Sequence, residues 1–116
     1  MMALPNYEKN IVSDISVTSY LKEGSVNAYK IGDLIIVKVF GSMEDKMPDI
    51  WMDYPIAKLN GVKASTISSA PIVDQVTGLC ADLQIEENSD TININKRAVS
   101  TIRGEWLRGE LIFKKN

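Results

Sequence analysis

The stretch from Tyr29 to Phe40 constrains this chain more than any other. Tyr29-Lys30-Ile31 ends one extended segment, Gly32-Asp33 turns the chain, and Leu34-Ile35-Ile36-Val37-Lys38-Val39-Phe40 follows. Branched apolar side chains pack well on a pleated surface and lose rotamer freedom in a helix, so the run predicts a strand. A two-residue connection with Gly at its first central position suits a type II′ hairpin turn. Leu34 to Phe40 is apolar at both alternating sets of positions. That suits a central strand covered on each side, or one with a face against a neighbouring subunit.

The rest of the pattern is also extended. Asp14 to Leu21 alternates Ile15, Val17, Ser19 and Leu21 against polar residues, and Glu23-Gly24-Ser25 reads as a turn before Val26 to Ile31. Gly41 to Asp49 reads as a loop, and Pro48 limits any helix there to about two turns. Asn60-Gly61 is a strong turn signal after Ile56 to Leu59, and Val62 to Ser68 reads as the next strand. Ala70-Pro71 and Val76-Thr77-Gly78 bracket a connection. Gly78 to Glu86 alternates most cleanly, Glu87 to Asp90 turns the chain, and Thr91 to Asn95 alternates again before a last strand from Glu105 to Lys114. About eight short strands without a convincing helix predict an all-β fold, an antiparallel β-sandwich or jelly roll. Residues 1–12 read as a lead-in segment and residues 13–116 as one domain.

Composition narrows the chemistry. The 116 residues suffice to bury about two thirds of the unfolded chain's surface, so no metal or disulfide is needed for folding. The 13 basic and 15 acidic residues are spread along the chain without a basic stripe, which argues against nucleic acid and against a membrane surface as partners. There is no histidine, which removes the commonest general base and the commonest zinc ligand together. Cys80 stands alone on the more polar face of its strand, without a base beside it, and reads as a packing residue. Asp82, Glu86, Glu87 and Asp90 do not follow a calcium-loop spacing. No catalytic residue, metal ligand or cofactor site is expected, and the chain reads as non-enzymatic. No signal peptide is visible at the start of the sequence.

An exposed aromatic ring beside Asp and Asn is a common way to hold a sugar, because the ring stacks on the apolar face of a pyranose. Trp51 is the best candidate, in a loop-rich segment with Asp49, Asp53 and Tyr54. The same ring could instead anchor that loop on the core. Trp106, inside a strand pattern, reads as core or interface, and Arg103, Arg108 and Lys38 as ion-pair or subunit-contact residues.

Three segments in order carry a family resemblance. They are Asn27 to Val37, then Tyr54-Pro55-Ile56-Ala57-Lys58-Leu59, then Thr91-Ile92-Asn93-Ile94 followed by Gly104 to Phe113. Together they resemble the opening hairpin, the Leu-Pro step and the closing strands of the tip domains of bacteriophage tail fibres and receptor-binding proteins. The resemblance implies a homotrimer that recognises host-surface saccharide, often near subunit boundaries. It also implies a place in the tail or baseplate of the virion, beside other tail proteins, after assembly in the host cytoplasm. Two other readings stay open: a structural virion protein without glycan binding, and a monomeric carbohydrate-binding module.

Overall fold

The structure, a computed structural model, describes residues 11–44, 53–74, 78, 80–95 and 106–116. It is all-β. Among the described residues nine strands form one antiparallel sheet: β1 (Ile11–Val12), β2 (Ile15–Val17), β3 (Leu21–Ile31), β4 (Leu34–Met43), β5 (Asp53–Leu59), β6 (Ser68–Val73), β7 (Cys80–Ile85), β8 (Thr91–Asn95) and β9 (Trp106–Lys114). Their order across the sheet is β1-β3-β4-β9-β6-β7-β8-β5-β2. The two edge strands are consecutive in the chain, joined only through Ser13 and Asp14. Val12 pairs with Ala28 on β3, and Ile15 pairs with Leu59 on β5, so one short segment touches both edges. The sheet therefore curls into a nearly closed barrel, where the sequence suggested a sandwich of two stacked layers.

Period-2 alternation decides which side chains fill the interior. On β4, Ile35, Val37 and Val39 are buried while Leu34, Lys38 and Phe40 are exposed. β7 and β8 repeat the pattern, with Leu83, Ile85, Ile92 and Ile94 inside. The Gly32-Asp33 hairpin forms as expected, with Gly32 at φ 58° and Ile31 facing Leu34 across the turn.

Five local expectations are corrected. Gly41 to Met43, read as the start of a loop, continue β4 and pair with Gly24, Glu23 and Leu21 on β3. Glu23 to Ser25 is not a turn: β3 runs through it with an irregularity in register, and Gly24 adopts φ 113° to permit the bend. The chain turns earlier, at Ser19 and Tyr20. Val62 to Ser68 is not one strand: up to Ile67 only Ala64 makes a bridge, to Lys115, and Ser68 already begins β6. Ala70 and Pro71 lie inside β6 rather than in a connection, and Pro71 costs little because pairing with β9 begins only at Ile72. Finally, Ile11 and Val12, assigned to a lead-in segment, are a paired strand.

Candidate functional site

Among the described residues, the outer face of β3, β4 and β9 holds most of the exposed large hydrophobic side chains. Among the described residues eight large hydrophobic side chains are exposed, and five of them (Ile31, Leu34, Phe40, Trp106 and Ile112) share this face. Register explains the layout. Asn27 faces Lys38, Lys38 faces Glu110, and on either side of this polar row Tyr29, Ile36 and Ile112 align, as do Ser25, Phe40 and Arg108. The face is thus split by its polar middle row into an aliphatic half and an aromatic half.

In the aromatic half, Phe40 and Trp106 are 43% and 45% exposed, with ring centroids 5.2 Å apart and planes tilted by 39°. The Arg108 guanidinium lies 4.9 Å from the centre of the Phe40 ring. A cation over a ring face is attracted by the ring quadrupole, so Arg108 holds Phe40 in place and leaves the Trp106 ring as the freer platform. Next to Phe40 is an open concavity of about 460 Å³, lined by Ser25, Asn27, Lys38, Arg108 and Glu110 over a floor of Val39 and Gly109. Asn27 donates a hydrogen bond to the Ser25 hydroxyl at 3.4 Å.

Two close backbone approaches draw neighbouring strands together near this hollow. Gly24 and Gly41 are paired across β3 and β4, and a Cβ on Gly24 would lie 2.1 Å from the Phe40 carbonyl oxygen. On the floor, Gly109 faces Val39 on one side and Ile72 on the other, and a Cβ there would come within 2.9 Å of Ile72 Cβ. Gly24, Gly41 and Gly109 are needed for contact between neighbouring strands, not for turns.

The site residues expected from the sequence fare differently. Asp49 and Trp51 lie outside the described residues, as does Arg103. Asp53 is exposed at the start of β5 and accepts a 2.6 Å hydrogen bond from Asn95, on the wall formed by β5, β8 and β7 rather than beside Phe40. Tyr54 is a correction: it is fully buried, with its ring edge-on to Tyr20 at 5.5 Å, so it cannot offer a face to a sugar. The alternation that puts Asp53 outside puts Tyr54 inside. Trp106 is outside the core and lies on the surface.

Phe40 was the residue missed. Its signal was present, because Lys38 marks the solvent-facing parity of β4 and Phe40 shares that parity. Cys80 is half-buried, on the same parity as Asp82 and Gln84 as expected, and its thiol reaches the Ala81 carbonyl at 3.5 Å. Among the described residues no group of three or more His, Cys, Asp or Glu is placed to hold a metal ion. No family model, curated protein or solved structure matches the chain.

Proposed function

We propose that this chain is a non-enzymatic receptor-binding domain of a bacteriophage tail tip or baseplate, which recognises a saccharide of the host cell surface as a homotrimer. The observation that carries the reading is the exposed Trp106–Phe40 pair beside a hollow lined by hydroxyl, amide, carboxylate and cationic side chains. A pyranose has one apolar face and a ring of hydroxyls, and such a surface offers a partner to both. The order of the three sequence segments supplies the assignment to a tail tip.

Binding to a panel of purified bacterial capsular and cell-wall polysaccharides tests the saccharide. Wild type should bind at least one member, and Trp106→Ala should weaken that binding about tenfold, a loss of about 1.4 kcal/mol. Binding to none of the panel, or equal binding by the variant, would overturn the reading. A second reading, a structural virion protein that binds no glycan, is favoured by the aliphatic half of the same face. It predicts stable association with another tail protein and no response to any polysaccharide.

A further inference from the structure

We propose that Asn60 is a site of spontaneous deamidation, and that its conversion to a carboxylate unlatches β2, the strand at which the barrel closes. Asn60-Gly61 is the one Asn-Gly step in the chain. Glycine places no side chain beside its own amide, so that nitrogen reaches the preceding Asn side chain more readily than the amide of a residue with a Cβ. Gly61 is exposed at φ 82°, and an added Cβ would meet nothing within 4 Å, so water and a moving backbone both have room. In the reaction the Gly61 nitrogen bonds to Asn60 Cγ and the Cγ–Nδ2 bond breaks. Ammonia leaves, carrying the proton of the Gly61 amide. Water then opens the five-membered imide at either carbonyl, which leaves an aspartyl or an isoaspartyl residue at position 60.

The side chain that reacts is also the one that holds the edge strand. Asn60 Nδ2 donates to Asp14 Oδ1 at 3.0 Å, to Ser16 Oγ at 3.0 Å and to the Asp14 carbonyl at 3.4 Å. The Asn60 backbone amide donates to the same carbonyl at 3.0 Å. β2 has three residues and lies at the end of the sheet beside β5, so these contacts are a large part of its hold. After conversion an oxygen without a proton stands where the donor stood. The Ser16 hydroxyl can turn to donate, but the Asp14 carbonyl and carboxylate cannot, and two carboxylates then repel at close range. An isoaspartyl product also adds a carbon to the backbone of the turn that the Val62 amide closes on the Leu59 carbonyl at 2.9 Å. The same contacts restrain the reaction in the closed barrel, because Nδ2 must leave its acceptors before Cγ is attacked. Conversion therefore proceeds through opening of a short edge segment, the kind that opens at low cost, and reclosure does not undo it. The chain carries a one-way latch on barrel closure.

Incubation of the full chain at mildly alkaline pH, followed by peptide mapping with mass spectrometry, tests the chemistry. Asn60 should convert faster than Asn88, whose successor Ser89 has a Cβ. Asp14→Ala should speed conversion about fivefold, the factor given by about 1 kcal/mol of lost hydrogen bonding. Gly61→Ala should stop it. Hydrogen exchange reads the latch. Converted wild type should lose protection about tenfold at the Thr18 amide, which donates to the Ile56 carbonyl at 2.9 Å, with β7 and β8 unchanged. Asn60→Asp should match the converted chain; if that variant folds poorly, aged wild type gives the reading, since it folds before it converts. An Asn60 that stays intact in the folded chain while the guanidinium-unfolded chain converts there overturns the proposal. So does conversion that leaves the Thr18 amide as protected as before, or an Asp14→Ala chain that converts at the wild-type rate. No saccharide enters these assays, so their outcome is independent of the proposed function.

Discussion

Replacing Gly24 by Ala tests how closely β3 and β4 approach. Gly24 has φ 113°, and a Cβ there would sit 2.1 Å from the Phe40 carbonyl oxygen and 2.4 Å from Gly41 Cα. Both obstacles are backbone, so no side chain can swing away; β3 and β4 must part or twist. The dihedral strain contributes about 1–3 kcal/mol and the overpacking about 1–3 kcal/mol more. Taking about 4 kcal/mol together, and about 4 °C of melting temperature per kcal/mol for a chain of this size, Gly24→Ala should melt about 16 °C below wild type. Gly32→Ala is the matched control. Gly32 also has positive φ, at 58°, but nothing lies within 4 Å of the added Cβ. Only the left-handed strain remains, about 1 kcal/mol, or about 4 °C. Thermal melts followed by circular dichroism give both numbers. Equal melting temperatures for the two variants would show that β3 and β4 do not approach at Gly24 as described.

Other substitutions separate core from surface. Tyr54→Ala should cost about 3–5 kcal/mol, because it empties a fully buried aromatic site, whereas Trp106→Ala should shift the melting temperature by only a few degrees. Similar melts for the two would contradict the assignment of Tyr54 to the interior. Asn60→Ala removes the amide that donates to Asp14 Oδ1 at 3.0 Å and to Ser16 Oγ at 3.0 Å. It should cost about 1–2 kcal/mol and speed hydrogen exchange in β2, where the barrel closes; unchanged exchange there would argue against this anchoring role.

Much of the fold was legible because period-2 alternation and turn glycines act locally. The Gly32-Asp33 hairpin, β7, β8 and β9 all follow from residues within a few positions of one another. The features that escaped depend on distant partners. Gly24 reads as a turn residue by itself and becomes a bend within a strand only because Gly41, on the next strand, lets the backbones touch. Pro71 reads as a breaker until β9 is seen to begin pairing one residue later. Closure of the sheet was invisible for the same reason, since nothing in Val12 or Ile15 announces that they join different edges. For the candidate site the limiting step was parity. Tyr54 and Asp53 are adjacent in sequence, and on a strand adjacent residues face opposite ways. Phe40 and Trp106 come together only through the pairing of β4 with β9, which joins segments far apart in the chain.

One strand ties the two proposed roles together. Along β4 the inward positions Ile35, Val37 and Val39 fix the barrel, and the outward positions run from Leu34 and Ile36 in the aliphatic half, through Lys38, to Phe40 in the aromatic half. Lys38 and Glu110 line both hollows, so a neighbour seated on the aliphatic half would form one wall of the other. Association would then do more than assemble copies. An open, shallow hollow offers few contacts to one saccharide, and its affinity for a single chain end would be modest. In the proposed homotrimer the copies would carry their hollows on a fixed spacing, and simultaneous engagement of a repetitive surface would raise apparent affinity by about 10²–10⁴ without any new contact. It follows that Ile112→Asp, which lies across the Lys38–Glu110 row from Phe40, should reduce attachment to intact cells far more than it reduces binding of one soluble oligosaccharide. Equal losses in the two assays would show that the halves of the face act as one site, and that the polar row of Lys38 and Glu110 divides nothing.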